Sequence, residues 1–195
     1  MVDEIFASFK DQLNENEWTE DEFRKGIFKK LDHMKATLLY DEVSANDTAL
    51  DNLFTERLKI NYEELPFLVM LDEVMYAEKK TRFHDLYHDL DPYESYTTVA
   101  AHFGNALNAF YIPRANAIMI PLAIVQYPLF DLTFPSAFNY GSIGFITAHE
   151  ISHGFDDGGI HYDYTGTIRK WYKDEWIRKF VEKLHCYISQ YNNKT

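Results

Sequence analysis

The stretch GFITAHEISHGFDD, Gly144 to Asp157, sets two histidines four residues apart and a glutamate directly after the first. Residues four apart on an α-helix lie one turn apart on the same face, with Cβ atoms about 5–6 Å from each other. His149 and His153 can therefore hold one metal ion. Imidazole nitrogens at about 2.0–2.1 Å suit Zn²⁺, and a catalytic zinc site combines three protein ligands with an open position for water. Glu150, beside the pair, is placed to take a proton from that water, the use that metalloproteases make of H-E-x-x-H. Two imidazoles do not complete such a site, so a third ligand has to come from elsewhere.

The surroundings separate this pair from a second one. Gly141, Ser142, Gly144 and Ala148 are small and let other backbone approach the helix closely, and Asp156 and Asp157 follow just beyond its end. A carboxylate beside a ligating histidine often orients its second ring nitrogen, a role open to either aspartate. The other reading of the segment is a helix-ending turn with Gly158 and Gly159. His84 and His88, in FHDLYHDL, are also four apart, but Asp85 stands where the glutamate would be. The shorter Asp is a poor substitute as a base, and this pair reads as the solvated face of a helix.

Working outward, the first half of the chain reads as helices. Ile5, Phe6, Phe9 and Leu13 follow helical spacing, and Thr19-x-x-Glu22 has the form of a capping box opening a run with Phe23, Ile27, Phe28, Leu31 and Met34 inward. A turn and new helix start follow at SANDTALDNLF, then a long helical segment from about Tyr62 to Tyr87 with Pro66 near its start. The two short apolar runs around PRAN in LNAFYIPRANAIMIPLAI predict two strands and a turn, kept short by Pro113 and Pro121. The segment NYGSIGFITAHEISHGF is predicted to be a helix with Ile143, Ile146 and Ile151 toward a core. HYDYTGTIRKWY reads as a hairpin-like excursion turning at Thr165-Gly166, and a last helix starts near Asp174 with Trp176, Ile177, Phe180, Val181, Leu184 and Ile188 as its apolar stripe.

The chain has 195 residues, 46% hydrophobic and 16% aromatic, enough for one sizeable core. A net charge of -12 argues against nucleic acid as a partner, since phosphate neutralisation needs clustered Lys and Arg. The N-terminal stretch MVDEIFASFKDQL has acidic residues where a signal peptide carries basic ones, and no apolar run reaches the length of a membrane span. The single cysteine, Cys186, allows no internal disulfide. Asn46-Asp47-Thr48 and Asn193-Lys194-Thr195 are glycan acceptor patterns that matter only in a secretory protein.

LNAFYIPRANAIMIPLAIVQYPLF, FNYGSIGFITAHEISHGFDD and YDYTGTIRKWY together resemble the neprilysin and endothelin-converting enzyme family of zinc metallopeptidases. That family combines an N-A-[FY]-Y strand, an HExxH helix continued by a G-F-D-D-like segment, and a D-x-x-G-x-x-x-x-W stretch, and all three occur here in order. EWTEDEFRKGIFKKLDHMKATLLY is similar to the region that precedes the catalytic strands. The resemblance covers nearly the whole chain and is strongest from Leu107 to Trp171. It implies that His149 and His153 bind zinc and that Glu150 polarises the water. It also implies that Asn108 and Ala109 lie on an edge strand that pairs with peptide substrate, Asn108 through its side-chain amide and Ala109 through its backbone.

The resemblance further implies a third zinc ligand, a glutamate in an E-N-x-x-D-like helix, and later His and Arg residues; no such motif follows in this sequence. Glu175 and Glu182 are the only glutamates after His153, and neither has that context; Gly159 stands where a metzincin-like pattern would need a histidine. In the family a cysteine near Cys186 pairs with one close to the far C-terminus. The expectation is thus an α+β, mostly helical fold: a truncated zincin, thermolysin-like catalytic domain with a small edge-strand sheet and the HExxH helix. Residues 1–48 would be a helical segment preceding the catalytic core, and 49–195 an incomplete zinc metallopeptidase domain. The expected function is zinc-dependent endopeptidase action on short peptides, weak or inactive in this chain alone because the third ligand is missing. The alternative is a non-catalytic peptide- or partner-binding product. By resemblance, the location is the extracellular face of the plasma membrane or secreted, with membrane contact only through an anchor that this chain does not carry.

Overall fold

A computed structural model describes residues 1–40, 45–53, 62–85 and 106–192. In chain order these form α1 (Val2–Asn14), α2 (Asp21–Asp32), β1 (Lys35–Leu39), α3 (Asp47–Leu53), α4 (Phe67–Asp85), β2 (Phe110–Ile112), β3 (Ala117–Pro121), α5 (Ser136–Asn139), α6 (Phe145–His153) and α7 (Asp174–Asn192). Helices around one small sheet make the chain α+β and mostly helical. No helix among the described residues is long and apolar enough to cross a membrane. The expected pair of His84 and His88 and the pattern Asn193-Lys194-Thr195 lie outside the described residues and side chains.

The sheet order is β1-β3-β2, with β1 parallel to β3 and β2 antiparallel to it. All of β3 is buried, as befits a central strand whose unbroken apolar run is covered on both faces. The two strands expected around PRAN are β2 and β3. Between them Pro113–Ala115 make a 3-10 turn, which Asn116 ends in the left-handed region at φ 45, a conformation asparagine adopts more readily than most residues. The buried amide of Asn116 donates to the carbonyls of Lys30 and Tyr164, and its oxygen accepts from the Tyr111 hydroxyl.

Three local expectations are corrected. Within the 1–48 segment, expected to be helical, KATLL is β1, paired from Lys35 opposite Ala117 to Leu39 opposite Pro121. Only Thr37 of those five is buried, so no period-2 pattern announced the strand; pairing with β3 creates it. The capping box at Thr19 and Glu22 does not form. The Arg24 guanidinium donates to the carbonyls of Asn16 and Thr19, the Thr19 hydroxyl donates to Asn16, and Glu22 pairs with Lys173. On α7, Trp176 is buried while Val181, Leu184 and Ile188, expected inward, are exposed. The helix is tied down at its first turns, where the Trp176 indole and Lys179 both donate to Glu20.

Two clusters hold α6 and the segment that follows it. Ile151 packs with Leu31, Met34 and Ile118, flanked by Ile5, Phe6 and Phe9 of α1. Phe23, Ile27, Ile160 and Trp176 form the other, with the Phe23 and Trp176 rings 4.7 Å apart. Residues Tyr140–Gly144 form a π-helical stretch that runs into α6 without a break, a kind of irregularity that recurs at functional sites. The hairpin-like excursion is present: Tyr162 bridges Ile168, and Gly166 turns at φ 78 with Arg114 carbonyl so close that a Cβ would lie 1.9 Å from it.

One residue on the apolar stripe of α2 is charged. Lys30 is only 1% exposed, and burial pushes its ammonium down to about 8, against the opposing pull of the Asp156 and Asp163 carboxylates. Because the folded value lies below the ordinary 10.5, folding disfavours the charged form, and that cost is fully present below about pH 8. Between about pH 8 and 10.5 the unfolded chain keeps a proton that the folded chain has shed. The stability of the native chain relative to Lys30→Met should therefore rise across that window, by roughly 3 kcal/mol at most. Urea titrations of both proteins at pH 7 and 10 measure it; a difference that stays flat or falls contradicts the assignment.

Candidate metal centre

Helix α6 does what its spacing requires. His149 and His153 face one point, with their Nε2 atoms 3.0 Å apart. Two nitrogens bound tetrahedrally at about 2.0–2.1 Å from one zinc would stand about 3.3 Å apart, so the pair needs almost no rearrangement. One ligand atom from each of His149, Glu150 and His153 lies within 4.8 Å of the others, and among the described residues this is the group able to hold a metal ion. Neutral imidazole nitrogens with a carboxylate are a donor set that zinc accepts.

Asp156 fixes one ring of the pair. Its Oδ2 lies 2.7 Å from His153 Nδ1, and its Oδ1 accepts the backbone N–H groups of Gly158 and Gly159. A carboxylate at Nδ1 makes the Nδ1–H tautomer the favoured neutral form, so that His153 Nε2 keeps its lone pair. These hydrogen bonds hold the Asp156 carboxyl below its usual range, although burial alone would raise it. Asp157, the other candidate for this role, is exposed and does not join the cluster.

Glu150 is 5% exposed, with a carboxylate oxygen within 4.8 Å of a ring nitrogen of each histidine. Burial pushes its carboxyl up; the two histidines and a hydrogen bond from the Tyr111 backbone N–H pull it partly back. Strand β2 thus reaches over Glu150 and holds its carboxylate. This use of the Tyr111 main chain leaves no trace in the identity of the side chain, and the sequence could not have shown it.

The three side chains open onto a cavity of about 700 Å³, whose wall also includes Asn108, Ala109 and Phe145. Asn108 and Ala109 sit just before β2 rather than in it, Asn108 exposed and Ala109 buried, and β2 forms an edge of the sheet. Glu175 is exposed on α7, and the His161 ring contacts the Tyr172 hydroxyl at 2.8 Å. Neither supplies the metal group with another ligand.

Comparison with known proteins agrees with this geometry. Neprilysin-1 of Caenorhabditis elegans is 32% identical over 194 residues, 98% of this chain and 24% of that protein. Human endothelin-converting enzyme 1 is 29% identical over 202 residues, 97% of this chain and 24% of that protein. In structure, the Mycobacterium tuberculosis zinc metalloprotease Zmp1, solved with an inhibitor, superposes with a TM-score of 0.77 at 27% identity, covering 100% of this chain and 27% of that one. The chain spans about a quarter of the length of the curated relatives it matches. With residues 108–195 matching peptidase family M13 and the likeness to neprilysins running the length of the sequence, the chain belongs to the neprilysin and endothelin-converting enzyme family of zinc metallopeptidases.

Proposed function

We propose that this chain carries the metal-binding helix, base and substrate edge of a zinc endopeptidase acting on short peptides. The observation that carries the reading is the convergence of His149 and His153 Nε2, 3.0 Å apart, beside a buried glutamate at the wall of an open cavity. The two imidazoles would hold Zn²⁺, which when bound polarises a carbonyl and acidifies water. Asp156 keeps His153 Nε2 free to ligate. Glu150, steadied by the Tyr111 N–H, accepts the proton of the attacking water and can return it to the leaving amine, so that its carboxylate is regenerated. Asn108 and the edge at β2 would align the peptide, Asn108 by its side-chain amide and Ala109 by its backbone. Glu150 serves as the base, so the third ligand of this proposal is a carboxylate outside the described cluster. Zinc affinity and hydrolysis by this chain alone should accordingly be weak.

The test is zinc uptake by equilibrium dialysis with metal analysis, run beside His149→Ala, with a fluorogenic short peptide as the activity probe. Saturable binding near one zinc per chain, weakened at least about a hundredfold in His149→Ala, is expected. Any hydrolysis should stop with chelator, return with zinc and vanish in Glu150→Ala. Zinc uptake indifferent to His149→Ala, or no saturable uptake at all, overturns the metal assignment. Peptide binding that ignores chelator, with no hydrolysis, would favour a non-catalytic peptide-binding role.

A further inference from the structure

Lys30 is a buried charge that the chemistry above does not use; Asp163, another, is held within its own turn by Thr165 and Thr167 and pairs with Arg169. Lys30 has no such local partners. Its position on α2 follows Phe23 and Ile27 along the stripe that packs on the core, where an apolar residue would be ordinary. Its Nζ donates to the Gly159 carbonyl at 2.6 Å and the Tyr162 carbonyl at 2.7 Å, and lies over the Phe155 ring at 5.7 Å. The Gly159 residue is therefore gripped at both ends: its N–H donates to Asp156 Oδ1 at 2.6 Å, and its carbonyl accepts from Lys30. The other oxygen of that same carboxylate receives His153 Nδ1. A continuous series of hydrogen bonds thus runs from α2, through one peptide unit, to a metal-facing imidazole.

The rest of the turn is fixed from other directions. The Trp171 indole donates to the Ile160 carbonyl, and the Arg169 N–H to that of His161. Asn116, which donates to the Lys30 carbonyl, ties α2 itself to the same hairpin. Removing Lys30 would leave the Tyr162 carbonyl without the Lys30 donor and the Gly159 carbonyl with the Tyr162 N–H alone, and Gly159 is the residue whose own N–H holds Asp156 Oδ1. An ammonium kept in the core despite its desolvation cost is most useful where it fixes geometry that an apolar side chain cannot.

We propose that Lys30 is a positioning residue for the metal centre: by holding the Gly159–Tyr162 turn it keeps the Asp156 carboxylate on His153 Nδ1, and so sets the tautomer and aim of that imidazole. The role in zinc binding rests on the reading given under Proposed function. The effect on the tautomer does not, and can be measured in the metal-free chain.

The experiment is long-range ¹H–¹⁵N correlation NMR of the histidine side chains at pH 7.5, on the native chain, Lys30→Met and a core control, Ile120→Ala. Ile120 is buried with Ala109, Ile124 and Ile143, away from the turn. The native chain and the control should show His153 protonated at Nδ1, whereas Lys30→Met should shift it toward the Nε2–H form. Titration with zinc chloride should show affinity about ten- to a hundredfold weaker in Lys30→Met than in the native chain. If Lys30→Met does not fold, Lys30→Gln, which keeps a donor for one carbonyl, decides the matter by an intermediate shift. A folded variant with the native His153 tautomer overturns the proposal, as does an equal change in the control. A native chain that shows the Nδ1–H form but takes up no zinc leaves the role of Lys30 standing and removes the metallopeptidase reading instead.

Discussion

A single methyl group added at Gly159 should destabilise the chain by about 3 kcal/mol or more and abolish zinc binding. A Cβ at this position would lie 1.8 Å from the His153 carbonyl oxygen and 2.9 Å from the carbonyl carbons of His153 and Gly154. All of these are backbone atoms at the end of α6, so no rotamer change can relieve the overlap; either the helix end or the 159–162 turn must move. Movement of either separates Asp156 from His153. Gly154 offers the comparison: a Cβ there would come within 2.6 Å of the Met34 terminal methyl, which a flexible thioether can vacate. Gly154→Ala should therefore cost about 1–3 kcal/mol and leave zinc affinity within a few-fold of native. Urea unfolding and zinc titration of the two variants measure this. A Gly159→Ala protein as stable as Gly154→Ala would show that the turn is not packed against His153 in solution.

Ile151→Ala should cost about 2–5 kcal/mol, near the upper end of that range. Ile151 is fully buried, one residue from Glu150 and two from each of His149 and His153, and packs between Leu31, Met34 and Ile118 while α1 closes over them with Phe6 and Phe9. The surrounding atoms belong to two helices and the central strand, which limits how far they can collapse into the space left behind. Against typical domain stabilities of about 5–15 kcal/mol, such a loss is a large share of the whole. Ile151→Val, which removes one methylene, should cost only about 1 kcal/mol. The pair is checked by urea titration at constant pH. A loss below about 1 kcal/mol in Ile151→Ala would mean that α6 is not held by this cluster, and that the direction of Glu150 and His153 has another origin.

The convergence of His149 and His153 was legible because it depends on helical period alone. Once GFITAHEISHGFDD is helical, His149 and His153 must share a face and Ile151 must point away from them. The same holds for the turn at Asn116, for the excursion at Thr165-Gly166, and for the strands on either side of PRAN, where short-range chemistry gives the answer. Asp156 was one of two candidate aspartates, and only the direction of the chain after Gly154 settled that it, and not Asp157, meets the imidazole. The capping box failed because Arg24 supplied hydrogen bonds that the four-residue pattern does not contain. Val181, Leu184 and Ile188 have the right period for burial and are exposed nonetheless. Periodicity tells which residues share a face and not whether anything covers it.

Sequence by itself therefore determined most of the longer helices and the convergence of His149, Glu150 and His153 in this member of the neprilysin family, since each depends on residues within a few positions of one another. Tertiary structure alone decided that Lys35–Leu39 becomes a strand, that Lys30 carries its charge into the core, and that the Tyr111 N–H meets Glu150. In each of those three the partner lies tens of residues away, and the deciding bond is made by a backbone group. Every residue but proline carries the same N–H and C=O, so side-chain identity cannot announce which of them will be used.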